Sequence, residues 1–212
     1  MLKSRFYLLF VFLGLSLYPS GNAFSDPLSD SSPNPPIEYK GHLTGGIDAG
    51  ITIPSQAIVS GAESIEGPTA QGNIFYGLTN SFLIGMNAGW YQTGYATGGV
   101  FQGNLQDFYL IPSVELRGQQ SGAWSPFASL GMGANFNMFN SSQPGTSISP
   151  TDTLAFLASV GEDYFVTSHV AMDLELSWLM NTGMWTETTP KRTTGSTFNN
   201  SAVFLMAGIH FQ

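Results

Sequence analysis

Few residues in this chain could do chemistry, and they are scattered. The histidines are His42, His169 and His210. Carboxylates recur at Asp48, Glu115, Asp163, Asp173 and Glu175, with Arg117 among them. Hydrolysis of the Ser-His-acid kind needs a nucleophile, an imidazole and a carboxylate on converging elements. Ser168 and His169 are neighbours in a stretch that reads as a short turn, where adjacent side chains are expected to point apart. Metal ligation by His42, His210 and Asp163 would need three separate segments to converge. No catalytic, cofactor-binding or metal-ligating residue is therefore assigned, and neither a cofactor nor an enzyme is expected. With no cysteine, disulfides, thiol catalysis, Cys-ligated zinc and a lipidated N-terminal cysteine drop out.

The elements that carry these residues alternate with period two, the spacing of a strand with two unlike faces. In one segment Leu43, Ile47, Ala49, Ile51 and Ile53 alternate with His42, Thr44, Gly46, Asp48, Gly50 and Thr52. Ile84, Met86, Ala88 and Trp90 oppose Gly85, Asn87, Gly89 and Tyr91 in another. Phe108, Leu110, Val114 and Leu116 oppose Tyr109, Ser113, Glu115 and Arg117, with Pro112 requiring a bulge or a break. Ala128, Leu130, Met132, Ala134, Phe136 and Met138 oppose Ser129, Gly131, Gly133, Asn135 and Asn137. Met172, Leu174, Leu176, Trp178 and Met180 oppose Asp173, Glu175 and Ser177. The closing run sets Val203, Leu205, Ala207, Ile209 and Phe211 against Gly208 and His210. Two less regular strands fall near residues 72–78 and 154–165.

Only 9% of the 212 residues are charged, against roughly 25% in an ordinary soluble domain. The small face of these strands is mostly Gly, Ser, Asn and Thr, too poorly charged for a water-facing surface. It suits the interior of a closed barrel, and the apolar face then suits hydrocarbon, where the sheet must close so that every backbone group is paired. Short links at 79–81, 118–125 and 166–169 alternate with long ones at 55–67, 93–103, 140–152 and 181–196. Such alternation is the layout of a bacterial barrel with short turns facing the periplasm. The expected fold is all-β, a closed antiparallel up-and-down transmembrane β-barrel of about eight strands over residues 41–212. Trp90, Tyr91, Tyr95 and Trp178 on one side, with Tyr39, Tyr76, Tyr164, Phe165 and Phe211 on the other, are expected to form interfacial girdles.

Upstream, Lys3 and Arg5, the apolar run from Phe6 to Leu17, and Gly21, Asn22, Ala23 read as a signal peptide over residues 1–23. Residues 24–40 read as a flexible Pro/Ser-rich lead-in. The expected location is the cell outer membrane, reached through the inner membrane after the signal is cleaved. A net charge of -8, with only Lys40, Arg117, Lys191 and Arg192 basic after Arg5, excludes nucleic acid as a partner. Outer-membrane lipids are the expected surroundings, and no oligomeric state is assigned.

The segments Gly77-Leu78-Thr79-Asn80-Ser81, Val160 to His169, Phe108 to Pro112 with Ser125 to Phe127, and Ala207 to Phe211 resemble elements of small bacterial outer-membrane barrels. The family includes outer-membrane protein W and the transmembrane domain of outer-membrane protein A. The resemblance implies a C-terminal assembly signal, here Val203, Leu205, Ala207, Ile209 and Phe211, read by the barrel-assembly machinery. Gln212 departs from that pattern by following the terminal aromatic. Up-and-down placement gathers His42, Asp48, Glu115, Arg117, Asp163, Asp173, Glu175 and His210 as a polar lumen cluster in the periplasmic half. About eight strands leave a lumen that side chains can fill. The cluster is thus either a hydrogen-bonded plug or a narrow passive pathway for small solutes. The resemblance to outer-membrane protein W also implies passage of small apolar molecules. A structural or surface-binding, adhesin-like barrel is the alternative, acting through loops that carry Glu63, Glu66, Trp185, Lys191 and Arg192.

Overall fold

The computed structural model describes residues 37–58, 61–142, 147–189 and 192–212. The expected signal peptide, residues 24–36 of the lead-in, Lys191 and the side chain of Arg192 lie outside it. The described residues form the strands β1 (Leu43–Pro54), β2 (Glu63–Ile65), β3 (Gly67–Gly77), β4 (Phe82–Thr97), β5 (Val100–Arg117), β6 (Trp124–Ser141), β7 (Ser147–Pro150), β8 (Thr153–Phe165), β9 (Val170–Thr189), β10 (Arg192–Asn199) and β11 (Ala202–Phe211). Among the described residues eight of them, β1, β3, β4, β5, β6, β8, β9 and β11, pair antiparallel in a ring that returns from β11 to β1.

The register fixes the barrel's shape. Thr44 pairs with Phe75, and the row continues through Gly85, Ser113, Gly131, Leu157, Leu179 and Ala202. It returns to β1 at Pro54, ten residues beyond its start at Thr44. With eight strands that stagger tilts each strand by roughly 40° and leaves an interior that side chains can fill.

Alternation decides the faces. Ile47 is 66% and Leu130 63% exposed, whereas Asp48 and Ser129, their neighbours, are buried. The exposed apolar belt has clear limits. On β5 it runs from Leu116 to Phe108, and the next outward residues are Gln106, Asn104 and Gln102. At about 3.3 Å per residue this is roughly 26 Å of strand, or about 20 Å of height after tilting, close to the apolar band of an outer-membrane barrel. Trp90, Phe108 and Phe136 form one row at its upper edge. Directly above, Gln106 Nε2 donates to Gln92 Oε1 at 3.0 Å. Trp124 and Tyr164 pack at 4.8 Å at the lower edge.

The two girdles are narrower than expected. Tyr91, Tyr39 and Phe165 are buried, and Tyr95 packs inside the upper end. Tyr91 and Phe165 occupy inward positions of their strands, and Tyr39 folds beneath the barrel. Pro112 produces neither a break nor a shift. It faces outward, β5 runs through it, and the ladder to β6 skips Ile111 and Pro112 while keeping its register. The missing N–H removes hydrogen bonds without moving the strand.

Two lower turns share one device. In Leu78–Ser81 the Thr79 hydroxyl accepts from the N–H groups of Ser81 and Phe82 at 3.2 and 3.0 Å. In Val166–His169 the Thr167 hydroxyl accepts from His169 and Val170 at 3.2 and 3.1 Å. At the upper end the long links are largely sheet. β4 and β5 run on to a turn at Gly98 and Gly99, whose φ values of 58° and 76° suit the twisted two-residue hairpin that glycine allows. β10 continues the pairing of β11 along β9 in the same register, while β7 pairs β9 and β2 pairs β4.

Candidate functional site in the barrel lumen

The inward side chains form stacked layers. At the lower mouth the segment ahead of β1 turns across the opening and places Tyr39 among Phe75, Leu83, Phe165 and Ala171, with Ile37 beside it. Hydrogen bonds tie this strap down at several points. Gln120 Oε1 accepts from Ile37 N at 2.8 Å, Asn80 Oδ1 accepts from Lys40 N at 2.9 Å, and Gln212 Nε2 donates to the Glu38 carbonyl at 2.5 Å. Above the strap, Arg117 Nε donates to Glu115 Oε1 at 2.6 Å and Nη1 donates to Asp163 Oδ2. The guanidinium carbon lies 4.9 Å from the Tyr39 ring centre and 5.0 Å from that of Phe127. Burial pushes the Tyr39 phenol above its ordinary pKa of 10.0, opposed by the nearby Arg117 charge, so at neutral pH it is an uncharged partner.

One inward row crosses six strands: Gln71, Asp48, Gly208, Asp173, Asp163 and Ser125. Three of its members are carboxylates on nearby or adjacent strands, an arrangement that repels unless neutralised. His210 lies beside them, its Nδ1 2.9 Å from Asp163 Oδ1 and its Nε2 3.5 Å from Asp48 Oδ1. Glu175 accepts from Ser177 and from Gln71 Nε2, and Gln71 Oε1 accepts from Tyr109 at 2.7 Å. The structure therefore brings together Asp48, Glu115, Arg117, Asp163, Asp173, Glu175 and His210. It does not bring in His42. That residue is exposed, because the chain turns at Gly41 and β1 begins only at Leu43.

The middle of the lumen is apolar and aromatic. Tyr91, Tyr109, Ile111, Leu157, Leu179, Phe204 and Met206 pack as one buried cluster, with Phe204 5.0 Å from Tyr91 and stacked on Tyr109 at 6.2 Å. The expected interior of small polar residues is correct only below and above this layer. Over it lies an asparagine cage that sequence reasoning missed. Asp107 Oδ1 accepts from Asn135 at 2.9 Å and Asn181 at 3.2 Å, and Oδ2 accepts from Asn200 at 2.5 Å. The signal was present, since Asp107 shares inward parity with Tyr109 and Glu115.

At the upper end Ile58, Leu105, Trp185 and Phe198 make a further buried layer with Tyr95, Phe139 and Ile148. Trp185, expected in a binding loop, is only 3% exposed, because β9 carries its inward parity past the membrane belt. Glu63 and Glu66 are exposed as expected. Ser168 and His169 do not point apart. Ser168 Oγ and His169 Nδ1 are 2.7 Å apart at the lower turn, with His169 exposed. On β11, Leu205, Ala207, Ile209 and Phe211 face outward with Val203 half-buried among them, each paired to β1 and β9.

No family model matches the chain, and no curated protein matches it. Solved structures do. Outer membrane protein OprG from Pseudomonas aeruginosa is 11% identical over 82% of this chain and 97% of its own, with a TM-score of 0.69. AlkL, an outer membrane protein solved in lipid bilayers, is 12% identical over 92% and 94%, with a TM-score of 0.55. Neisserial surface protein A is 12% identical over 81% and 97%, also at 0.55. At such identities the likeness is one of fold. These neighbours are small outer-membrane β-barrel proteins, and this chain has their integral outer-membrane β-barrel fold.

Proposed function

We propose that this chain resides in the bacterial outer membrane as a sealed barrel and acts as a structural or surface-binding protein through the sheet it raises above the lipid. The observation that supports this is the filling of the lumen. Among the described residues, the strap with Arg117, the aromatic layer around Phe204 and the lid around Trp185 block it at three heights. A passive solute path would require all three to part. The upper ends of β5 and β9, by contrast, present Val100, Phe101 and Met184 as exposed apolar side chains beyond the belt. In this reading the leader over residues 1–23 is cleaved, and the assembly machinery recognises β11.

Conductance tests the reading. The refolded full chain in planar bilayers, and solute efflux from vesicles that contain it, should stay at the level of protein-free lipid. Steady conductance by the intact protein would overturn a sealed lumen.

A further inference from the structure

The lumen holds two carboxylates that lack the partners their burial demands. Asp48 and Asp173 have side chains with no solvent exposure, and Asp48 Oδ1 and both Asp173 oxygens have no hydrogen-bond donor. Arg117 cannot serve them, since it is engaged with Glu115 and Asp163. A buried carboxylate without a donor is strongly unfavourable, so the two side by side call for a positive charge, either a proton on the neighbouring His210 or a bound cation.

The surroundings are shaped to hold one. Asp48, Asp173 and His210 each direct a ligand atom into one space, all within 4.8 Å of one another. His210 Nε2 is 3.5 Å from Asp48 Oδ1 and 3.9 Å from Asp173 Oδ2. Ligands about 2.0–2.2 Å from a tetrahedral ion stand roughly 3.4 Å apart, so only small shifts are needed. The imidazole is already oriented. Its Nδ1 lies 2.9 Å from Asp163 Oδ1 while its Nε2 faces the two carboxylates, the placement that a carboxylate-histidine-metal arrangement needs. Asn73 Nδ2 lies 3.2 Å from that nitrogen and 3.3 Å from Asp48 Oδ2, and a flipped amide would offer its oxygen as a further ligand. Two glycines make the convergence possible. A Cβ on Gly208 would run into Asp48 Oδ1 and Asp173 Oδ1, and one on Gly46 would run into the His210 ring.

We propose that Asp48, Asp173 and His210 form a binding site for a divalent transition metal of the zinc class. An imidazole nitrogen with two carboxylates suits such an ion better than calcium or magnesium, which prefer all-oxygen shells. The ligands lie on β1, β9 and β11, so the ion clamps the seam where the first and last barrel strands meet. Its role is to lock the closed barrel.

The test uses the full mature chain, refolded in detergent micelles without a histidine tag and stripped with EDTA. Zinc chloride should bind at about one ion per chain by titration calorimetry and raise the thermal midpoint. Cobalt should give the visible absorption of a low-symmetry site. Asp173→Asn and His210→Gln should each weaken zinc binding at least about tenfold, in line with loss of a metal-site partner. His42→Gln with His169→Gln, which alters only the exposed histidines, should leave binding unchanged. Overturning results are wild-type chain indifferent to zinc, zinc lost with His42 and His169, or Asp173→Asn binding zinc as the wild type does. Stabilisation by Asp173→Asn in a zinc-indifferent chain would show a proton shared between the two carboxyl groups instead.

Discussion

Tyr39 lies against Arg117, with 4.9 Å between the phenol ring centre and the guanidinium carbon, although 78 residues separate them in sequence. The contact joins the strap ahead of β1 to the last residue of β5. It also places the one buried guanidinium among the described residues over both its carboxylate partners, Glu115 and Asp163.

Removing that guanidinium should be severe. Arg117→Met leaves Glu115 and Asp163 buried without their main counter-charge, and breaking such a pair from one side costs about 3–5 kcal/mol. Urea unfolding of the refolded chain in micelles measures it. A loss below about 1 kcal/mol would mean that the carboxylates are neutralised by other means.

Tyr39 sets an alkaline limit. Its folded pKa lies above 10.0, raised by burial. The neutral phenol therefore contributes stability that is fully present below pH 10.0 and is lost as pH rises through the folded value. Protease cleavage of the strap should be flat through neutral pH and increase in strongly alkaline solution. Tyr39→Phe should remove that increase, and an unchanged alkaline response in the variant would place the titrating group elsewhere.

Closure of the ring can be caught chemically. Ala49 on β1 and Ala207 on β11 are direct register partners on the outward face, and the chain has no cysteine of its own. Directly opposed strand residues bring their Cβ atoms within about 4.5–5.5 Å, near disulfide range. Ala49→Cys with Ala207→Cys should oxidise to an internal cross-link in the folded chain. Oxidation that yields none would mean an open seam.

Strand parity was legible in the sequence because lipid and lumen demand opposite side chains at successive positions. Ile47 beside Asp48, and Leu174 beside Glu175, each declare their face without knowledge of any partner. The acid cluster followed from parity alone. Lost were features set by the third dimension. Whether an inward side chain packs with apolar neighbours depends on which strands meet at one height, so the layer of Tyr91, Tyr109 and Phe204 was hidden. The upper hairpins were hidden for another reason. Above the lipid the outward face turns polar, as at Gln106 and Thr182, and the alternation that marks a strand fades while the pairing continues. The strap was missed because its hold depends on Gln120, Asn80 and Gln212, which carry no local signal.

The inside-out arrangement of the strands is tested most directly by tryptophan fluorescence in vesicles of brominated lipid. Trp178 is 47% exposed on the apolar belt, and Trp185 is 3% exposed within the upper lid. Of two variants that keep one tryptophan each, with the others changed to Phe, the Trp178 chain should be strongly quenched and the Trp185 chain barely affected. Equal quenching of the two, or quenching of Trp185 alone, would contradict a barrel whose apolar face meets lipid.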